Sequence, residues 1–355
     1  MLKTKAIILE KYEKPLFLDE ITIPDPSADQ VIVKMYASGI CGSQLIDINN
    51  GNRSQPALLG HEGTGCVVSL GNNVKHVKEG DDVVISWMPY GADENTDYLQ
   101  WCNISWNKEN INTLIFTWAE HTIIHSQFVS KMDSGIDKYT TSIIGCAGIA
   151  GYGTVINIVA IKPGQSTVVW GVGGLGVLAI NAAKNLGANP IIAVDIDDKR
   201  LKFSKLFGAT HCINSNNSDP VKEIHRITSG GSDYVFDMVG KAEIREQTIL
   251  ASRPGIPGYT EGGTIVLTGF PEGVSKFNPR SILMGQRTYK GSRGGACIPE
   301  RDFPIFYRME KAGELNLKDA ITERYKLNNI NKAVQRLKDN QILGRAIIEI
   351  DDNTV

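Results

Sequence analysis

Two separated stretches hold residues whose types and spacing suit chemistry. The first, "GICGSQLIDINNGNRSQPALLGHEGTG" from Gly39 to Gly65, sets Cys41 and the pair His61–Glu62 among six glycines. Thiolate and imidazole are favoured zinc donors, and a catalytic zinc asks for about three protein ligands with one position left open. Cys41 and His61 stand 20 residues apart, which matches no local zinc motif, so residue type alone makes them candidates. The second stretch, "VVWGVGGLGVLAINAAKNLG", carries G-x-G-x-x-G as Gly171, Gly173 and Gly176 after an apolar strand pattern and at the start of a helical one. Gly171 suits a tight turn, Gly173 a close approach of backbone to a pyrophosphate, and Gly176 close packing of helix on strand. Gly174 and Leu175 open the helix whose positive end would face the phosphates. The next strand, "PIIAVD", ends in Asp195, 19 residues past Gly176. A carboxylate there accepts hydrogen bonds from ribose hydroxyls and repels a 2′-phosphate, which favours NAD over NADP. Arg200 is placed to cover the adenine or to reach a 2′-phosphate.

These residues need scaffolds, and two kinds of pattern surround them. Over the first 130 or so residues, "KTKAIILE", "DQVIVKMYASGI", "GTGCVVSLG", "DDVVISW" and "AEHTIIH" read as short strands rich in Val and Ile, bounded by Gly, Pro, Asn or Asp. From about Thr140 the rhythm becomes strand, glycine turn, helix, strand, helix, strand, with "SDYVFDMVG" and "GGTIVLTGF" as further buried strands. That alternation predicts an α/β chain with a parallel sheet covered on both faces. Helical "IPERDFPIFYRMEKAGEL" and "NINKAVQRLKDNQIL" follow, then the strand "RAIIEI". The glycine-rich segments Ser142–Gly153 and Tyr289–Gly295 read as linkers.

A chain of 355 residues exceeds the usual single-domain size, so two domains are expected. A formal net charge of −2 gives no global reason for nucleic acid or an anionic membrane as partner. The six cysteines form no CxxC pair, and the N-terminal stretch lacks a signal-peptide pattern, which argues against a disulfide framework. No stretch reads as a membrane span, and the expected location is the cytoplasm.

"GICGSQ", "GHEGTGCVVSLGNNV", "VKEGDDVV", "GCAGIAGYGTVIN", "GVGGLG", "RTYKGSRGG" and "GRAIIEI", in that order, resemble the zinc-dependent medium-chain alcohol dehydrogenases over essentially the whole chain. The resemblance implies a GroES-like β-rich catalytic domain, 1–147 completed by 291–355, and a Rossmann domain with a doubly wound parallel sheet, 148–290. It implies a catalytic zinc held by Cys41, His61 and Cys146, with Glu62 as a neighbouring carboxylate that can approach the metal. Ser43 takes the position of the hydroxyl that accepts the alcohol proton, and Arg345 that of an arginine on the pyrophosphate. The implied reaction is hydride transfer between an alcohol and NAD, in a homodimer or homotetramer.

Departures from the family pattern are equally specific. The region "MPYGADENTDYLQWCNISWNKENINTLIF" contains only Cys102 where most members hold a structural zinc with four cysteines, so one zinc per chain is expected. Its aromatic residues, Trp87, Tyr90, Tyr98, Trp101 and Trp106, read as core or subunit contacts, and Trp87 also resembles a position lining the alcohol pocket. Ile46 replaces a relay histidine, leaving Asp47 or water to continue the proton path. Gln44 replaces a common carboxylate near the zinc-bound histidine, and Ala150 a common threonine. Arg53, Arg287, Arg293 and Arg301 leave an anionic alcohol open beside primary alcohols, polyols and sugar-derived alcohols. Two other readings stay open: a metal-free reductase of an activated double bond, and a non-catalytic dinucleotide-binding protein.

Overall fold

A computed structural model describes residues 1–50 and 56–351, and Arg53 lies outside them. The chain forms two compact units. One comprises Met1–Cys146, Ile298–Gly313 and the residues from Leu317 onward; the other comprises Ala147–Cys297 and Glu314–Asn316. The later division falls after Cys297 rather than at 291 because Thr288–Gly291 is a strand of the second unit's sheet, and Gly294–Ala296 turns back onto that same unit.

The first unit is built on two sheets. In one, Ala57–Leu58, Leu2–Leu9, Phe17–Ile23, Cys102–Trp106 and Glu109–Thr113 lie side by side. In the other, Val129–Lys131, Asp82–Ile85, Gly63–Leu70, Gln30–Ile40, Arg345–Glu349 and Ile321–Lys326 follow in order, and His121–His125 also pairs with Gln30–Ile40. Three buried apolar clusters pack on these sheets: Ile7 with Trp118 in one, Ile32, Ile104 and Phe116 in a second, and Val33 with Val67 in a third. Burial of such β-branched and aromatic side chains stabilises each by roughly 1.5–3 kcal/mol relative to exposure.

The region that lacks the four cysteines forms a β-hairpin. Cys102, Ile104 and Trp106 point inward, alternating with exposed Asn103 and Ser105. Asn107 and Lys108 form the turn at φ 48° and 68°, the backbone that a two-residue hairpin favours. Trp106 donates from Nε1 to Asp19 Oδ2 at 2.8 Å, while Tyr98 and Trp101 are exposed.

The second unit holds six parallel strands in the order His211–Asn214, Ile191–Asp195, Thr167–Trp170, Tyr234–Asp237, Thr264–Leu267, Thr288–Gly291. Val168, Ile192, Val194, Val235 and Ile265 are buried in it, as near-continuous apolar runs require. The order reverses beside Thr167–Trp170, the place where such sheets bind ligands at their carboxyl ends.

The segment Ser142–Gly153, within which the division between the two units falls, is helical rather than a loose loop. It lies in a helical run, Thr140–Ile158, whose mean hydropathy of 1.3 and 19 residues match a membrane crossing, although the sequence alone suggested none. Its most apolar window is 78% buried inside the protein, so packing against the chain itself accounts for that composition. The glycines serve closeness rather than flexibility: a Cβ on Gly145 would strike the Ile85 carbonyl oxygen, and one on Gly151 would lie 2.6 Å from that of Leu175. Tyr289–Gly295 likewise begins as the strand Thr288–Gly291.

Candidate metal and dinucleotide sites

Strand register brings distant residues of the first unit to one point. Gln30–Ile40 runs antiparallel to Gly63–Leu70 with Ser38 opposite Gly63, so Cys41, just past one strand, meets His61 and Glu62, just before the other. On its other side Gln30–Ile40 pairs with Arg345–Glu349, Ala346 opposite Ile40, which delivers Arg345 to the same end. Cys146 follows Gly145, whose carbonyl accepts a 2.8 Å hydrogen bond from Ser86 Oγ at the end of a neighbouring strand. A Cβ on Gly39 would fall 2.5 Å from the Glu62 carboxylate, and Gly60, at φ 93°, turns the chain into His61. Glycine is required at both positions by space and backbone.

Ligand atoms of Cys41, His61, Glu62 and Cys146 all lie within 4.8 Å of one another. His61 Nε2 is 3.3 Å from Cys146 Sγ, and the two sulfurs are 3.9 Å apart. Glu62 and Cys146 are buried, Cys41 and His61 half-buried. Glu62 forms a buried ion pair with Arg345, in which the guanidinium donates from Nη2 to Oε1. The resemblance had set Arg345 toward a pyrophosphate; the structure gives it this carboxylate as partner.

The electrostatics concentrate negative charge on Cys41. The Cys146 thiol donates to its sulfur and holds the Cys41 thiol well below its usual range against the opposing effect of burial, with His61 and Arg345 acting in the same direction. Cys146 goes the other way, since giving that hydrogen bond and being buried both favour its neutral form. Burial opposes charge on His61, yet Cys41 and Glu62 outweigh it and raise the imidazole. Burial likewise opposes charge on Arg345, and the surrounding Glu62, Cys41 and Cys146 overcome it.

The predicted proton path divides between two partners. Ser43 Oγ donates to Cys41 Sγ at 3.3 Å, while Asp47 Oδ2 lies 3.4 Å from Gln44 Nε2. Ile46, at the relay position, is exposed.

In the second unit, Gly171–Gly173 forms the turn between the strand Thr167–Trp170 and the helix Gly174–Asn185, and Gly176 lies in the first turn of that helix. Gly171 has φ 81°, and a Cβ on Gly176 would collide with the Gly171 carbonyl oxygen. A Cβ on Gly173 would meet only Arg200 Nη1, at 3.8 Å, so Arg200 lies over the turn. Asp195 accepts from the backbone N–H groups of Val172, Ile196 and Asp197 at 2.9, 2.8 and 3.1 Å, which fixes its carboxylate at the end of its strand.

Two arginines and one aromatic residue considered for the substrate, Arg287, Arg301 and Trp87, have other partners, as does Tyr90. Arg287 donates to the Ser252 and Ser281 carbonyls, and Arg301 pairs with Asp302. Trp87 packs against the first unit's core, and Tyr90 stacks on His76 at 4.6 Å. Sequence reasoning did not foresee the Glu62–Arg345 pair, because no local signal links residues 283 positions apart.

Family models place this architecture. Residues 27–134 match the "Alcohol dehydrogenase GroES-like domain" and residues 174–310 the "Zinc-binding dehydrogenase". The chain is 30% identical to alcohol dehydrogenase 6 of Peromyscus maniculatus, over 97% of each protein. The chain belongs to the zinc-type medium-chain alcohol dehydrogenase family. A Moraxella sp. (strain TAE123) alcohol dehydrogenase is also 30% identical, over 97% of this chain and 99% of its own length. The benzyl alcohol dehydrogenase of Acinetobacter calcoaceticus superposes with a TM-score of 0.88 at 28% identity, covering 99% of this chain and 100% of that one. As a member of this family the protein is an alcohol oxidoreductase, and the family works with zinc and a nicotinamide dinucleotide.

Two thiols, an imidazole and an adjacent carboxylate fit zinc by donor chemistry, and their mutual reach fits one ion rather than several.

Proposed function

We propose that the protein oxidises a primary alcohol, polyol or sugar-derived alcohol with NAD, using one catalytic zinc per chain. The observation that carries this reading is the convergence of Cys41, His61 and Cys146, from three remote segments, beside the buried Glu62–Arg345 pair. When bound, zinc supplies a Lewis acid that acidifies the alcohol hydroxyl and the nicotinamide supplies the hydride acceptor. Cys41, His61 and Cys146 hold the metal, and Glu62 stands by as a further carboxylate ligand.

Ser43 would accept the proton of the alcohol hydroxyl as it releases its own hydrogen, which otherwise faces Cys41 Sγ, to the next acceptor. Water or Asp47 carries the proton onward. Gly171, Gly173, Gly174, Leu175 and Gly176 present backbone to the pyrophosphate at the positive helix end. Asp195 accepts from the ribose hydroxyls, and its charge disfavours a 2′-phosphate. Arg200 covers the turn from above. The internal engagements of Arg287 and Arg301 favour an uncharged alcohol over an anionic one. The first unit thus serves as catalytic domain and the second as cofactor domain, in a cytoplasmic homodimer or homotetramer.

A panel of alcohols and aldehydes read by NADH and NADPH absorbance, with elemental analysis of the purified protein, tests this. One zinc per chain and NAD-linked turnover abolished by a chelator are expected. Activity in a metal-free protein would point instead to a reductase of an activated double bond, and silence across the panel to a non-catalytic dinucleotide-binding protein.

A further inference from the structure

Gln44 is fully buried beside the metal cluster, and its amide is oriented by neighbours on both ends. Gly60 N–H donates to its Oε1 at 2.7 Å, and Asp47 Oδ2 lies 3.4 Å from its Nε2. Turning the amide over would set its NH2 against the Gly60 donor and its oxygen against the Asp47 carboxylate. The NH2 therefore faces His61 Nδ1, 2.9 Å away. A donor at that distance requires Nδ1 to be the acceptor, so the proton of the neutral ring belongs on Nε2.

From there the hydrogen bonds run in one direction. Nε2–H faces Cys146 Sγ at 3.3 Å, the Cys146 thiol donates to Cys41 Sγ at 3.9 Å, and Ser43 donates to that same sulfur at 3.3 Å. The chain begins at the backbone of Gly60, passes through Gln44, His61 and Cys146, and ends at Cys41. The nitrogen that faces the other ligands is thus the one holding a proton.

We propose that Gln44, anchored by Gly60 and Asp47, is a positioning residue that latches metal-free His61 in its Nε2-protonated form, so that zinc uptake must reverse the latch. Placing a metal on Nε2 moves the ring proton to Nδ1, where it meets an NH2 group instead of an acceptor. The amide must then turn over and give up its contacts with Gly60 and Asp47. An isosteric carboxylate at position 44 has no such conflict, because one oxygen accepts from Gly60 while the other accepts from Nδ1–H. Partners of metal-bound imidazoles typically change affinity by about 10- to 100-fold, so Gln44→Glu should tighten zinc by that factor.

The proposal rests on the metal reading above, and two measurements separate their failures. In metal-free full-length protein carrying 15N-histidine, at a pH where the ring is neutral, long-range nitrogen–carbon-proton correlations report the form of His61, assigned by comparison with His61→Gln. Protonated Nε2 and bare Nδ1 are expected; a proton on Nδ1 overturns the latch. Zinc affinity is then read by competition with a chromophoric chelator for the native protein, Gln44→Glu, and Gln44→Glu combined with Asp47→Asn. The double variant removes the carboxylate that would repel the new one, and so keeps the test decisive if the single variant is unstable. Affinity unchanged or weakened in the double variant overturns the proposal. Zinc bound by none of the proteins, with Nε2 protonated in the spectrum, refutes the metal reading and leaves the latch standing.

Discussion

At the scale of single residues, the Glu62–Arg345 pair separates structural from catalytic contributions at the metal cluster. Removing one partner of a buried ion pair costs about 3–5 kcal/mol, because the other is left charged and without water. Arg345→Met should therefore lower the stability read by urea unfolding by about that amount, since it strands a fully buried Glu62. A loss below about 1 kcal/mol, the level of an exposed pair, would show that Glu62 is neutral or solvated there. Asp195 makes a contrasting case. Asp195→Ala should weaken NAD far more than it weakens NADP, read as the ratio of kcat/KM for the two cofactors, because the repulsion of a 2′-phosphate goes with the carboxylate. An unchanged ratio would remove Asp195 from cofactor selection. The glycine turn and Asp195 were legible in the sequence because the pattern is local: strand, turn, helix and the end of the next strand. By spacing alone Cys41 and His61 were legible only as types, and it was the family motifs that named them as ligands together with Cys146. Their meeting depends on the register of two strands and Arg345 on a third, which residue spacing does not encode.

At the scale of elements, two glycines three residues apart make separable demands. A Cβ on Gly176 collides with the Gly171 carbonyl, whereas a Cβ on Gly173 touches nothing but the end of Arg200. Gly176→Ala should lower thermal stability by the equivalent of about 1–3 kcal/mol, the usual cost of overpacking. Gly173→Ala should melt like the parent and yet bind NADH weakly, as followed by fluorescence titration. Equal melting of both variants would mean that the helix tolerates displacement from its strand. Strands such as Gln30–Ile40 were readable from their Val and Ile content. The hairpin Cys102–Thr113 was not foreseen, although its inward Cys102, Ile104 and Trp106 alternate at period two; polar Asn and Ser on the outer face obscured them. The glycines of Ser142–Gly153 misled in the opposite sense. Composition cannot distinguish a glycine that frees the chain from one that admits another backbone, and only packing shows the second.

At the scale of the whole molecule, the surface of the second unit argues for association. Val274, Leu283 and Met284 are 89%, 76% and 62% exposed, and Phe270 and Tyr259 are exposed as well. All belong to segments flanking or preceding Thr288–Gly291, the last strand of the parallel sheet, which pairs on one side only among the described residues. An open strand edge beside large apolar side chains is a liability that soluble proteins cover. A formal charge of −2 on 355 residues offers little repulsion to keep copies apart. If this edge is a subunit interface, a second copy would complete the sheet under two-fold symmetry, and the test is the oligomeric state. Light scattering on the purified protein should give an even multiple of the 38.8 kDa chain mass. Val274→Glu combined with Leu283→Glu places like charges opposite themselves across a two-fold axis, and should reduce the particle to one chain without unfolding either unit. A native monomer, or a double variant that still associates with the same affinity, would move the interface elsewhere on the molecule.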